Sequence, residues 1–113
     1  MSQDVVDLLQ QLVRIPSVNP DNAPGTADTG AETLAVFLSG WLESIGASVT
    51  LEEIRPGRPN LIARFAPRDG RPRILLGPHL DTVGVAGMTV DPFGGEIRDG
   101  KLWGRGASDT KGP

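Results

Sequence analysis

Apolar positions along the chain change period twice, and each change marks an element. Val5, Leu8, Leu9, Leu12 and Val13 recur at i, i+3, i+4, which predicts an amphipathic helix over residues 3–14 that ends before Pro16, with Ser2 or Asp4 as its cap. Residues 15–28 hold Pro16, Pro20, Pro24 and Gly25 without any period and read as a loop long enough to line the mouth of a site. A second helix follows. Thr29 and Glu32 have the spacing of a capping box, Leu34, Phe37, Leu38, Trp41, Leu42 and Ile45 form its apolar stripe, and Gly46 is placed to end it.

Beyond Gly46 the period falls to two. Val49 and Leu51 alternate with Thr50 and Glu52, and after the turn Pro56-Gly57-Arg58-Pro59, Leu61, Ala63 and Phe65 alternate with Ile62 and Arg64. This pair predicts a β-hairpin. Ile74-Leu75-Leu76 does not alternate, so a strand covered on both faces is expected there, ending at Pro78, which has no N–H for a ladder. Residues 84–95 read as Gly- and Pro-rich loop. Glu96-Ile97-Arg98 and Lys101-Leu102-Trp103 flank Asp99-Gly100, a strong two-residue hairpin signal. Together these elements predict an α/β layer, two helices packed on a mixed β-sheet, with ligand groups at the carboxyl ends of strands.

Composition narrows the possibilities. A chain of 113 residues supports one domain and one hydrophobic core. Its formal net charge of -3 offers no basic excess for nucleic acid or an anionic membrane. Arg55, Arg58, Arg64, Arg68, Arg71 and Arg73 crowd one stretch, but interleaved Pro and Gly make them solvated strand ends and turns. With no cysteine, disulfides and thiolate metal ligands are excluded. No apolar stretch approaches the ~20 residues of a membrane span. The start, Met1-Ser2-Gln3-Asp4, lacks signal-peptide features, so a cytoplasmic protein is expected.

His79 and Asp81 follow the apolar run directly, and Asp109 lies in a turn bounded by Gly104, Gly106 and Gly112. A catalytic zinc takes imidazole and carboxylate ligands and keeps one position open. His79 offers a nitrogen. Asp81, two residues on, points to the same side of an extended chain and is placed to hold the ring or to reach past it. Asp109 has two oxygens and so could bridge two ions. Each feature alone is weak: a lone His near a strand end is more often structural, and the glycine-rich turn lacks the spacing of a nucleotide loop.

In order, however, they are specific. Gly77-Pro78-His79-Leu80-Asp81-Thr82-Val83, then Asp91-Pro92-Phe93, then Asp99-Gly100-Lys101-Leu102-Trp103-Gly104-Arg105-Gly106-Ala107-Ser108-Asp109-Thr110-Lys111-Gly112 resemble the co-catalytic zinc amidohydrolases and exopeptidases. That family includes acetylornithine deacetylase, succinyl-diaminopimelate desuccinylase, aminoacylase and the glutamate carboxypeptidases. Ile15-Pro16-Ser17 and the second helix suit it as well, so the resemblance runs along essentially the whole chain.

The resemblance implies that residues 1–113 are the N-terminal portion of a zinc-peptidase-like catalytic domain. The remainder of that domain and a lid domain, through which the full-length protein would form a homodimer, would be absent. It implies two zinc ions per full-length subunit, with cobalt able to substitute. His79 would ligate one ion, Asp109 would bridge both, and Asp81 would be the catalytic residue that orients His79. A cis peptide at Asp109-Thr110 is implied too. Thr110 stands where the family often has Met, and Pro113 where it often has Gly. The implied reaction is hydrolysis of the amide of an N-acyl amino acid or small peptide, by zinc-activated water and a glutamate base from later in the family's chain. The 113 residues alone are therefore expected to be inactive. A carboxypeptidase or dipeptidase of the same family, or a non-catalytic truncated remnant, are the alternative readings.

Overall fold

The computed structural model describes residues 3–113. Helix α1 spans Gln3–Arg14, as its apolar period predicts. Ser2 lies outside the described residues, and Asp4 stands within the first turn rather than at a cap. Helix α2 spans Ala31–Ser44, and Gly46, at φ 99°, closes it by donating its N–H to the Glu43 carbonyl.

The expected capping box does not form. Gly30 is the N-cap of α2, and no side chain caps the helix. The reason is steric. Gly30 packs so closely on the Pro16 carbonyl that a Cβ there would collide with it, so the chain enters α2 through the glycine and Thr29 stays outside the turn.

Strands β1 (Ser48–Arg55) and β2 (Arg58–Arg64) form the first hairpin, with Val49 opposite Ala63 and Leu51 opposite Leu61. Helix α2 packs on both strands. Strands β3 (Glu96–Arg98) and β4 (Lys101–Trp103) form the second hairpin around Asp99 and Gly100. Both turn residues have positive φ, 53° and 71°, which suits the twist of a two-residue turn. The α/β class is thus built from two helices, two antiparallel ribbons and one parallel bridge, Val18 to Thr82.

Ile74-Leu75-Leu76 departs from expectation. The run forms no strand, and its side chains are 85%, 92% and 82% exposed. An apolar run becomes a central strand only when neighbouring strands supply ladder partners and layers cover both faces. No described residue does either for residues 74–76.

The buried apolar residues are few: Leu12, Val13, Val18, Leu34, Ala35 and Ala47. They fall in two patches, one beneath α2 and one where α1 meets the loops around Gly94 and Gly104. The radius of gyration is 15.2 Å, against about 13 Å for a closed domain of this length. The exposed surface is 7761 Å², roughly 1,800 Å² above the value for a closed monomer of this mass. Among the described residues no helix is long and apolar enough to cross a membrane.

Candidate metal centre

The segment carrying His79 is fixed by its pairing with the leading loop. Thr82 N–H donates to Ser17 O at 2.9 Å, and Asn19 N–H donates to Thr82 O at 2.8 Å. Ser17 Oγ donates to Leu80 O at 2.8 Å. Ser17 and Thr82 are the buried polar residues among those described, and these bonds satisfy them in place of water. Residues 80–82 are therefore held firmly although residues 74–78 have no ladder.

The second wall is the turn from Gly104 to Gly112. Gly106 has φ 84° and is buried, and a Cβ there would stand 2.8 Å from Thr82 Cγ2 and 3.2 Å from Lys111 Cδ. Only glycine meets both the backbone angle and the space. Arg105 pins the turn from outside, with N–H to Pro92 O at 2.7 Å and Nε to Gly84 O at 2.9 Å. Lys111 pins it from beneath: its Nζ donates to Leu12 O at 2.8 Å and Ile15 O at 2.7 Å, where α1 ends. Burial pulls the Lys111 ammonium down to about 8 from 10.5. The Asp109-Thr110 peptide is cis.

These walls bring the three predicted site residues together. His79 Nε2 lies 2.9 Å from Asp109 Oδ1. Its Nδ1 faces Asp81 twice, 2.8 Å from the backbone oxygen and 3.2 Å from Oδ1. They line one side of a cleft of about 480 Å³ that also takes in Thr82, Arg105 and Ser108. Both ring nitrogens thus face acceptors, and only the doubly protonated ring can donate to both. The pKa of His79 is accordingly raised, first by the bond to Asp109 and then by the backbone oxygen of Asp81.

A proton on Nε2 occupies the place a cation would take. A nitrogen and an oxygen sharing one tetrahedral ion at about 2.0–2.2 Å sit about 3.4 Å apart, so a widening of about 0.5 Å would admit zinc. The donor types suit that ion, and the Asp81 backbone oxygen, 2.8 Å from Nδ1, would accept the ring's other N–H with Nε2 turned to the ion. Among the described residues no group of three or more potential ligands gathers around one point. Two donors are fewer than the three protein ligands usual at a catalytic zinc.

Two residues make contacts here that the sequence analysis did not foresee. Asn19 Nδ2 donates to Asp81 Oδ2 at 2.9 Å, and Lys111 joins the Asp109 turn to α1. Each acts across 60 or more residues. No local period or spacing marks such a contact.

Residues 75–113 match the model of peptidase family M20/M25/M40. The chain is 40% identical over 114 residues to a succinyl-diaminopimelate desuccinylase of Cereibacter sphaeroides, covering 98% of this chain and 27% of that protein. To the enzyme of the same name from Rhodospirillum centenum it is 40% identical over 119 residues, 99% of this chain and 28% of the relative. It is 34% identical over 111 residues to an acetylornithine deacetylase of Proteus mirabilis, 95% of this chain and 28% of the relative. The chain therefore spans about a quarter of the length of the curated relatives it matches. The motif-bearing residues 75–113 thus match peptidase family M20/M25/M40, and nearly the whole chain is similar to these desuccinylases and this deacetylase.

Proposed function

We propose that this chain contributes half of a two-zinc centre to a hydrolase that cleaves the amide bond of an N-acyl amino acid. The observation that carries the reading is the convergence of His79 Nε2 and Asp109 Oδ1 at 2.9 Å on the cleft wall. His79 would hold an ion through Nε2, and Asp109 would supply carboxylate oxygen to the same centre. Asp81 accepts a hydrogen bond from Nδ1–H through its backbone oxygen, with its carboxylate at 3.2 Å beside it, and so favours the binding tautomer. When bound, the ions supply Lewis-acid polarisation of the acyl carbonyl and lower the pKa of attacking water. Gly106 and Lys111 hold the turn that carries Asp109 against His79.

The relatives' names favour the substrate class. They describe desuccinylation of succinyl-diaminopimelate and deacetylation of acetylornithine, both N-acyl amino acids rather than peptides. In the whole protein the general base, the remaining ligands and a lid domain for homodimerisation come from other residues. With two donors and no base at the site, residues 1–113 alone bind zinc weakly and do not turn over substrate.

Calorimetric zinc titration tests this. Binding should weaken markedly in His79→Ala and Asp109→Ala, and by a smaller factor, about 10-fold, in Asp81→Asn. Wild-type binding that survives loss of either His79 or Asp109 refutes the assignment. Chelator-sensitive amide hydrolysis by the pure chain refutes the claim of inactivity.

A further inference from the structure

We infer that Asn19 is a positioning residue for this centre, setting the Asp81 carboxylate against the His79 ring. The inference rests on the reading of His79 and Asp109 as metal ligands. Asp81 has two carboxylate oxygens with separate partners. Oδ1 faces His79 Nδ1 at 3.2 Å, and Oδ2 accepts from Asn19 Nδ2 at 2.9 Å. Without the second bond the carboxylate is free to rotate about its χ2 torsion, which is broad for this side chain. Its alignment with the ring would then be lost.

Asn19 is itself held on three sides. Its Oδ1 accepts the Asp21 N–H at 2.9 Å, which decides which end of the amide faces Asp81. Its backbone N–H donates to Thr82 O at 2.8 Å, one residue from Asp81. The neighbouring bridge from Val18 to Thr82, with the Ser17 bonds, fixes the register between the two segments. The result is a line of polar contacts, Asn19 to the Asp81 carboxylate to His79 to Asp109, entering the site from a loop about 60 residues away in sequence and running beside the hydrogen bond between Nδ1 and the Asp81 backbone oxygen. The leading loop thereby bears on the tautomer of a ring it does not touch.

Asn19→Asp isolates the donor. It keeps an acceptor for the Asp21 N–H and all backbone bonds, but presents an oxygen where Asp81 needs an N–H. His79 is the only histidine, so ¹⁵N signals of its ring are unambiguous in the metal-free chain. At a pH where the ring is neutral, the ratio of Nδ1–H to Nε2–H tautomers should fall about three- to tenfold in Asn19→Asp. Asn19→Leu, which adds no charge, should shift it in the same direction. The double variant Asn19→Asp/Asp81→Asn restores the bond with donor and acceptor exchanged, and should return the ratio toward wild type. Zinc affinity should fall in Asn19→Asp even though an added negative charge by itself would raise it. Hairpin amide signals over residues 48–64 report that each variant is folded. A tautomer ratio unchanged in both single variants, or no recovery in the double variant, overturns the inference. Wild-type zinc binding that ignores His79 or Asp109 instead overturns the metal-centre reading and leaves the tautomer result standing.

Discussion

Lys111 makes alkaline stability the most discriminating measurement on this chain. Its ammonium is buried between α1 and the Asp109 turn and titrates near pH 8, against 10.5 for a free lysine. Above about pH 8 the folded chain gives up a proton that the unfolded chain holds until its ordinary range. The unfolded state therefore binds more protons across that window, and stability should rise with pH from about 8 to 10.5. A difference of 2.5 pKa units (10.5 − 8) corresponds to a ceiling of about 3.4 kcal/mol. Partial exposure screens this, and the carbonyls of Leu12 and Ile15 at 2.8 and 2.7 Å hold the proton back, so the expected gain is about 1 kcal/mol. The sequence makes the test clean. It has no cysteine or tyrosine and only two lysines, Lys101 and Lys111, so few groups change charge in the window. Urea unfolding followed by tryptophan fluorescence from pH 7.5 to 10.5 should show the wild-type midpoint rising. Lys111→Met should show a flat profile. It should also be less stable at pH 7.5 by about 1–2 kcal/mol, because two carbonyls at the end of α1 lose their donor. A wild-type midpoint that stays level or falls over this range refutes the account of Lys111.

Asp109→Asn removes the largest cause of the raised His79 pKa, so the ring's NMR titration midpoint should move down toward 6.5. The small stability His79 contributes is present below its unfolded pKa and fades as pH rises through its folded one, and Asp109→Asn should shrink that slope. Gly106→Ala should destabilise the chain by about 1–3 kcal/mol in urea unfolding, from φ 84° and the 2.8 Å approach to Thr82 Cγ2. An unchanged midpoint would mean the turn relaxes freely. Leu75→Lys should reduce concentration-dependent light scattering, because the apolar side chains of residues 74–76 are exposed together. Asp21→Asn, which breaks an exposed ion pair with Arg58, should leave the urea midpoint essentially unchanged, and a clear drop would refute the reading of that pair as solvent-screened.

Much of the fold and site was legible where the cause is local. The 3.6 period of Val5 to Val13 produced α1, and Asp99-Gly100 dictated the second hairpin. The positions of His79, Asp81 and Asp109 were readable from motif order, because glycines at 104, 106 and 112 and the proline at 78 shape the backbone around them. Two expectations failed for reasons outside their own windows. Ile74-Leu75-Leu76 has the composition of a central strand, but pairing is a property of neighbours. Thr29 has the spacing of a cap, but Pro16 presses on Gly30 from 14 residues away and sets where α2 begins. Asn19 and Lys111 were invisible because one polar side chain meeting a distant group leaves no repeat to detect.

The contacts of Lys111 also bear on the order in which the chain acquires structure. Helix α2 and the hairpin β1–β2 lie within residues 31–64 and pack on one another, so they close short loops and form early. Helix α1 is instead anchored by residues far along the chain, Gly94, Gly95 and Lys111. Its bonds to Lys111 span 96 and 99 residues, and those to Gly94 and Gly95 span 80 and 85. The entropy of closing such loops grows only by about 0.6 kcal/mol per doubling of length, so the contact is thermodynamically affordable, but it is slow to find. During synthesis these contacts can form only after the 80 or more residues that separate their partners have been made. Helix α1 and the turn that carries Asp109 settle against each other only after α2 and its hairpin, because Lys111 joins them across the whole intervening stretch.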